Sequence, residues 1–172
     1  LSFQLLDVLE VDFRSEFDIV FSNATLHWVK DHERLLPILH RALAENGILR
    51  VNFAGDGNCS TLNRVAQDLM VSDQYREAFA DFEWPWYMPS VEAYERLIRH
   101  SDFRDADVWG ENADRYFPDT GAMLGWLDHP AIVPFKQHLD PQTAESFHEA
   151  VAARMNDETK QPDGTCFETF RR

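Results

Sequence analysis

The chain has 172 residues, of which 44% are hydrophobic and 27% are charged, enough for one soluble domain with a packed core. Its formal net charge of −14 argues against sequence-independent binding to nucleic acid and against anionic membranes, because both depend on clustered Lys and Arg. No apolar run approaches the roughly 20 residues that span a bilayer, and no signal peptide opens the chain. We therefore expect a cytoplasmic protein that has neither nucleic acid nor a membrane as a partner.

The two cysteines, Cys59 and Cys166, are isolated and far apart, so reduced thiols are expected rather than a disulfide framework. The seven histidines form no HExxH pattern and have no cysteine at ligand spacing. The sequence predicts no metal site.

The first predicted elements are two strands. Residues 1–6 form an apolar-rich run that ends at Asp7, and residues 17–21 form a β-branched and aromatic run that stops at Ser22 and Asn23. The continuous apolarity of the second run is typical of a strand buried on both faces.

A helix and a third strand follow. Leucines recur at helical spacing after Asp31, which is the expected N-cap, and Pro37 marks either the true helix start or a bend. Gly47 is the predicted helix stop, and residues 48–53 read as a strand. Strand, helix and strand at this spacing indicate a parallel crossover and an α/β fold.

Beyond Ala54 the pattern is mostly helical. It predicts helices over 61–70, 74–82 and 91–100, the last capped by Ser90, then a strand over 103–109, two or three helices within 110–159, with Asp140 capping the last, and a final strand over 165–170. We interpret the whole chain as one domain, in which residues 61–100 and 110–160 supply helical cap elements over the active-site end.

Ligands of open parallel sheets bind outside the carboxyl ends of the strands, a rule that selects Asp7, residues 22–28 and residues 54–60. A carboxylate at Asp7 suits an adenine amino group, although an Asp there is also a common cap or turn former. Asn23 suits a zwitterionic ligand, with a simple turn as the alternative.

Large side chains follow on two loops. His27 and Trp28 suit a ligand-binding loop, or Trp28 is a core residue. The group Trp84, Trp86 and Tyr87 suits a lid over an apolar cleft, or a hydrophobic plug beneath the helical layer.

The string FDIVFSNATLHWVKDHERLLPILHRALAENGILRVNF resembles the middle of class I S-adenosylmethionine-dependent methyltransferases. It is most similar to the trans-aconitate 2-methyltransferase and malonyl-carrier-protein methyltransferase group, and PSVEAYERLIRHSDFRDADVW and PDGTCFETFRR extend the likeness. The resemblance implies an incomplete Rossmann-like sheet, holding strands three to seven of seven, with a helical cap insertion. The family's glycine-rich loop would lie before Leu1.

The resemblance implies S-adenosyl-L-methionine as methyl donor. In its terms Asp7 and Val8 contact the adenine, Asn23 faces the methionine moiety, and Leu26 is a further cofactor-binding residue that lines the route to the acceptor. His27 and Trp28 line the route to the acceptor as positioning residues.

The nearest group methylates carboxylates, so the resemblance implies O-methylation of a small-molecule carboxylate by in-line displacement, which needs no general base. The side chains expected to bind this acceptor are Trp86, Arg115, Tyr116, Trp126 and Arg171. Ile132, Val133 and Pro134 stand where the trans-aconitate enzymes tend to carry an Arg before a Pro, which leaves the acceptor open.

The alternative is a methyltransferase-like domain that binds a partner without catalysis. A nicotinamide dehydrogenase fits poorly, because no Tyr-Lys or His-Asp arrangement accompanies the SNATLHW loop. We expect the 172 residues alone to bind cofactor weakly or not at all and to associate through exposed strand edges, and the full-length protein to be a monomer or a weak dimer.

Overall fold

The computed structural model describes residues 1–172, apart from the side chain of Pro130. The chain divides into two compact units. The first unit comprises Leu1–Asp56, Trp86–Glu111 and Arg172, and the second comprises Gly57–Pro85 and Asn112–Arg171. The expectation of a single domain with cap elements over one end stays a prediction.

The first unit is organised by a pair of parallel strands, β1 (Phe17–Asn23) and β2 (Leu43–Asn52). Their register runs from the pair of Ile19 and Ile48 to the pair of Asn23 and Asn52. The crossover between the strands contains helix α1 (His32–Ala42), as the sequence predicted. Because the two strands are parallel and in register, their carboxyl ends reach the same edge.

Gly47 has a different role from the predicted one. Helix α1 ends at Ala42, and Gly47 lies inside β2, where the register shifts between Phe17 and Ile19. A Cβ atom on Gly47 would lie 2.9 Å from the carbonyl oxygen of Phe17. The glycine therefore permits a close backbone approach in an irregular part of the ladder, and does not stop the helix.

Helix α1 supplies the core of the first unit. The Asp31 side chain accepts from the backbone N–H of Arg34 at 2.9 Å, which confirms the predicted N-cap, and Pro37 lies within the helix. Leu35 and Leu39 form a buried cluster with Leu26, against which half-buried side chains pack: Val8, Leu9, Val20, Val29, Leu49, Val51, Phe53 and Phe103. One face of the strand pair is thereby covered.

Two predicted strands are absent from the described residues. Residues 1–6 are exposed and unpaired, and residues 103–109 form no strand. A strand persists only when its N–H and C=O groups pair with a neighbour, and no neighbouring strand lies beside either run among the described residues. Helix α3 (Val91–Arg99) forms where predicted, with Ser90 accepting from the N–H of Ala93 at 3.2 Å.

The second unit is mainly helical. Its elements are α2 (Ser60–Met70), β3 (Arg115–Phe117), α4 (Thr120–Trp126), a π-helical turn (Leu127–Ala131), α5 (Val133–His138), α6 (Pro141–Thr159) and β4 (Cys166–Glu168). Strands β3 and β4 are antiparallel. Asp140 caps α6 as predicted, by accepting from Gln142 and Thr143.

The predicted helix over 74–82 is wrong, because consecutive turns occupy this segment. Backbone bonds there mix three-residue and four-residue spacings, such as Tyr75 to Ser72 and Phe79 to Tyr75. The segment still buries Tyr75 and Phe79 in the core of the second unit, so its apolar spacing reflects packing rather than a regular helix.

A buried carboxylate stabilises the start of α2. Glu168 is fully buried, and its two oxygens accept from the backbone N–H groups of Thr61 at 3.1 Å and Leu62 at 3.0 Å. These N–H groups have no partner inside the helix, and the helix dipole favours an anion at this end. Burial beside Glu168 raises the pKa of the Cys59 thiol to about 12, so Cys59 stays protonated.

Within the described residues, no helix is long and apolar enough to cross a membrane.

The outer face of the strand pair predicts self-association. Ile19, Phe21 and Ile48 share this face and are 63%, 68% and 61% exposed. Parallel strands are ordinarily covered on both faces, and an apolar patch of this kind favours burial against another surface. We expect the 172-residue chain to form concentration-dependent oligomers in sedimentation velocity, and the double variant Ile19→Thr, Phe21→Thr to shift them toward monomer.

Val71→Thr is the matched control, because Val71 is 75% exposed at the end of α2, in the second unit. It should leave the oligomer distribution unchanged. A wild-type chain that stays monomeric at all concentrations would contradict the prediction.

Candidate functional site

The carboxyl ends of β1 and β2 form the edge at which the sequence placed the ligand. Asn23 ends β1 and Asn52 ends β2. Ala24 follows with φ 54° and donates its N–H to the carbonyl oxygen of Asn52 at 2.7 Å. The chain then enters a 3-10 turn, Leu26–Trp28, which we call the LHW turn. The loop after β1 is thus tied directly to the end of β2.

Asp7 serves as a cap in this structure. Its Oδ1 accepts from the N–H of Leu9 at 2.8 Å and so closes the 3-10 turn Val8–Glu10. Val8 is half-buried against the core cluster of the first unit. A role for either residue toward adenine stays a prediction.

Asn23 has an exposed side chain, and its backbone carbonyl accepts from the Thr25 hydroxyl at 3.0 Å. Leu26 is 3% exposed and packs in the core. Their expected contacts with the cofactor also stay predictions.

The LHW turn presents an aromatic group. Trp28 is 41% exposed and lies edge-on to Trp86, with 5.7 Å between ring centroids, and the His27 ring lies 5.5 Å from Trp28. Tyr87 donates its backbone N–H to the carbonyl oxygen of His27 at 2.8 Å. The structure therefore brings together His27, Trp28 and Trp86. Trp84, by contrast, belongs to the second unit and packs on Phe135 at 5.6 Å.

Two buried polar atoms at this edge lack a hydrogen-bond partner among the described residues. They are Nδ1 of His27 and Oδ1 of Asn52. Buried polar atoms are rarely left unpaired in folded proteins, so such atoms indicate a place where water or a ligand binds. Asn52 was not among the residues chosen from the sequence, although its position at the end of a predicted strand was a usable signal.

Burial lowers the pKa of His27 and also that of His32, so both rings are favoured in the neutral form. For His32, backbone hydrogen bonds to Leu26 and Val29 and the charge of Asp31 act in the opposite direction and are smaller. A neutral imidazole at position 27 can donate or accept a hydrogen bond without carrying charge.

Apart from Trp86, the candidate acceptor residues lie in the second unit. The Arg115 guanidinium carbon lies 4.8 Å from the centroid of Phe117, and Phe117 lies 5.5 Å from Trp126. Trp126 in turn lies 5.5 Å from Phe170. Arg115 is exposed and has no acidic partner in the described part of the chain. Phe117 is buried, so the exposed guanidinium and the half-buried rings of Trp126 and Phe170 form what we call the Arg115–Phe170 surface.

The other two candidates are arranged differently. The Arg171 guanidinium forms an ion pair with Asp114, and this hydrogen bond holds the pKa of Asp114 below its usual value. Tyr116 is 66% exposed and packs on Phe167 with centroids 4.9 Å apart. Alternate residues of a strand face opposite sides, so Tyr116 points away from the face that Arg115 and Phe117 share.

In the part of the chain that the structure describes, no three His, Cys, Asp or Glu side chains are grouped so that they could hold a metal ion. The expectation of no metal site stays a prediction.

Comparison with known proteins agrees with this architecture. The methyltransferase domain family matches residues 1–51, which include β1, α1 and most of β2. Trans-aconitate 2-methyltransferase of Acidovorax ebreus strain TPSY is 28% identical over 149 residues, covering 86% of this chain and 57% of that protein. By these matches the chain is similar to the class I S-adenosylmethionine-dependent methyltransferases.

Two further methyltransferases are similar to the chain. Malonyl-[acyl-carrier protein] O-methyltransferase of Calditerrivibrio nitroreducens is 39% identical over 59 residues, covering 34% of this chain and 24% of that protein. The solved structure of loganic acid methyltransferase with SAH superposes with a TM-score of 0.64 at 12% identity, over 94% of this chain and 62% of that one. The chain spans little more than half the length of the trans-aconitate 2-methyltransferase that it matches, and the likeness to loganic acid methyltransferase shows the fold alone.

The lowered pKa of His32 predicts a pH dependence of stability. Between the folded pKa and the ordinary value of 6.5, the unfolded chain binds a proton that the folded chain does not. The free energy of unfolding is therefore fully retained above pH 6.5 and falls as the pH drops below it. We expect His32→Gln to reduce this fall in urea unfolding measured at about pH 8 and about pH 5.5.

His100→Gln is the control, since His100 is exposed at the end of α3. The quantity compared is the change in the free energy of unfolding with pH within each variant, so an overall loss of stability does not affect it. If the free energy of unfolding fell equally with decreasing pH in wild type and in His32→Gln, the prediction would be contradicted.

Proposed function

We propose that the protein transfers a methyl group from S-adenosyl-L-methionine to a carboxylate oxygen of a small-molecule acceptor. The observation that carries the proposal is the pair of unpartnered buried atoms, His27 Nδ1 and Asn52 Oδ1, at the carboxyl edge of a methyltransferase-family strand pair. Ligands of parallel α/β sheets bind at this edge. The similarity to trans-aconitate and malonyl-carrier-protein methyltransferases supports the choice of reaction.

The polar groups at the carboxyl edge of the strand pair suit the cofactor. Asn52 offers a buried acceptor oxygen, which suits the ammonium group of a methionine moiety, and the exposed amide of Asn23 ends the neighbouring strand. When bound, the cofactor supplies a sulfonium whose methyl carbon accepts a nucleophile. Asp7 and Val8 remain the proposed contacts to adenine, with Asp7 Oδ1 already engaged by Leu9.

The reaction requires the protein mainly to position the acceptor oxygen against the methyl group. The acceptor oxygen forms a bond to the methyl carbon while the methyl–sulfur bond breaks, and the bonding pair stays on sulfur, leaving a neutral thioether. A carboxylate is already ionised at neutral pH, so no proton must be removed. A His27 held neutral by burial suits this reaction, because it orients a ligand by hydrogen bonding and is not needed as a base.

Acceptor recognition is proposed for the Arg115–Phe170 surface. A guanidinium binds a carboxylate with two parallel N–H···O bonds, and rings beside it bury the apolar body of a ligand. Arg171 is already paired with Asp114, which leaves Arg115 as the guanidinium on this surface that has no acidic partner among the described residues. We therefore propose an acceptor with one recognised carboxylate and an apolar body, rather than a polyacid.

The direct test uses the full open reading frame that encodes this chain, incubated with labelled S-adenosylmethionine and a panel of acceptors. The panel contains monocarboxylates with aromatic or aliphatic bodies, dicarboxylates and tricarboxylates, phenols and amines. We expect base-labile methyl esters from monocarboxylates at the highest kcat/KM. Label on amines or phenols alone would contradict the carboxylate, and cofactor binding without transfer to any acceptor would favour a non-catalytic binding domain.

Arg115→Gln tests the acceptor contact. Loss of a charge-assisted hydrogen bond costs about 1.5–3 kcal/mol, which corresponds to roughly a 10- to 100-fold rise in KM for the acceptor. The affinity for S-adenosylhomocysteine, measured by calorimetry, should stay unchanged. Arg76→Gln removes an exposed arginine that pairs with Asp73 and is the matched control. An acceptor KM that is unchanged in Arg115→Gln would exclude the proposed contact.

A further inference from the structure

One buried histidine forms a hydrogen bond to the backbone of the LHW turn. His32, the first residue of α1, is 2% exposed, and its Nε2 lies 3.0 Å from the carbonyl oxygen of Leu26. Its Nδ1 lies 2.9 Å from the hydroxyl of Tyr94, on α3. His32 thus joins three parts of the first unit: helix α1, the turn after β1, and helix α3.

These contacts assign the tautomer of His32. A carbonyl oxygen only accepts hydrogen bonds, so Nε2 carries the proton and donates to Leu26. In the neutral ring Nδ1 is then the acceptor, and the Tyr94 hydroxyl donates to it. Tyr94 is 5% exposed, so its hydroxyl would be left unpaired in the core without His32. The two side chains therefore stabilise each other in one arrangement.

Rings on several sides restrict the His32 side chain. Its centroid lies 4.7 Å from Tyr87, 5.3 Å from Phe53 and 5.4 Å from Tyr94. Tyr87 also donates its backbone N–H to the carbonyl oxygen of His27. Successive carbonyl groups of the LHW turn, those of Leu26 and His27, are thus each anchored by an element outside the turn.

The turn depends on these outside contacts. The residue before it, Thr25, provides no side-chain cap, and the internal bonds of the turn are Trp28 N–H to Thr25 and Val29 N–H to Leu26, each 3.0 Å. A single short 3-10 turn is weak alone. The orientation of the His27 and Trp28 side chains is therefore fixed largely by what binds the turn backbone.

From these contacts we infer that His32, oriented by Tyr94, is a positioning residue that holds the LHW turn in the conformation in which His27 and Trp28 serve the reaction. The inference rests on the proposed function for its effect on turnover. Its structural part, the fixing of the turn by the His32–Tyr94 pair, is independent of the reaction.

The experiment compares His32→Leu, His32→Gln and Tyr94→Phe in the full open reading frame. The first readout is amide hydrogen exchange at Trp28 and Val29. Loss of one hydrogen bond should raise exchange there about three- to tenfold in His32→Leu and Tyr94→Phe. His32→Gln should restore part of the protection, since its side-chain amide can donate to the carbonyl oxygen of Leu26.

The second readout is the split between kcat and KM. Misplaced positioning groups reduce turnover, so we expect kcat to fall about tenfold in His32→Leu, with less effect in His32→Gln. The dissociation constant for S-adenosylhomocysteine should change less than twofold. Because the two side chains act as one unit, His32→Leu combined with Tyr94→Phe should lower kcat no further than His32→Leu alone.

Tyr75→Phe is the matched control. Tyr75 is 2% exposed in the second unit, and its hydroxyl lies 2.9 Å from that of Ser146, so the same atom is removed from a different core. It should lower the melting temperature without changing exchange at Trp28 or the value of kcat. Such a result separates positioning from general stability.

Exchange at Trp28 and Val29 that is unchanged in both His32→Leu and Tyr94→Phe would overturn the inference. Raised exchange with an unchanged kcat would overturn its catalytic part. A wild-type protein that transfers no methyl group would instead refute the proposed function, and the exchange data would then decide the structural part alone.

Discussion

The parallel ladder between β1 and β2 is the constraint on which the first unit depends. Its regular part pairs Ile19 with Ile48 and continues to Asn23 and Asn52, so both strands end at one level. Parallel strands require a crossover, and the crossover carries the LHW turn and α1. The positions of Asn23, Asn52 and the LHW turn follow from that register, because each of them ends a strand or lies in the crossover.

A buried histidine fixes the LHW turn, which lies beyond the end of the strand ladder. Strands fix backbone positions up to Asn23 and Asn52, but the LHW turn lies beyond the ladder and has few bonds of its own. His32 extends the order of α1 into the turn through a single N–H group. Buried polar contacts of this kind specify one conformation, because every alternative leaves an unpaired group in the core. The same logic applies in the second unit, where Glu168 fixes the start of α2.

Local features were predictable from the sequence. The strand at β1, helix α1, and the caps Asp31, Ser90 and Asp140 depend on a few neighbouring residues, and the structure has all of them. Features that depend on distant residues were not. The close approach that requires Gly47 involves Phe17, which belongs to another strand, and the strand predicted over 1–6 fails because it has no partner among the described residues.

The contrast between local and distant contacts also explains which residues of the candidate site were predicted from the sequence and which were not. The loop after β1 was predictable as a ligand site because polar and aromatic residues follow a buried strand there. The significance of Asn52 was not predictable, because it lies in a buried oxygen without a described partner, nor was that of His32, whose hydrogen bond to Tyr94 spans 62 residues. Arg115 and Arg171 looked equivalent in the sequence, since the ion pair between Arg171 and Asp114 joins residues 57 apart.

That ion pair bears on what the second unit can recognise in a chain with a formal net charge of −14. A carboxylate ligand must overcome repulsion from a strongly acidic protein, which only nearby cations offset within about 10 Å at ordinary salt. Asp114 neutralises Arg171, so Arg115 provides the positive charge on this surface that has no acidic partner in the described part of the chain. An acceptor with several carboxylates would leave the others facing an acidic surface, whereas the half-buried rings of Trp126 and Phe170 suit the apolar body of the proposed acceptor. Charge and packing therefore favour the same class of acceptor.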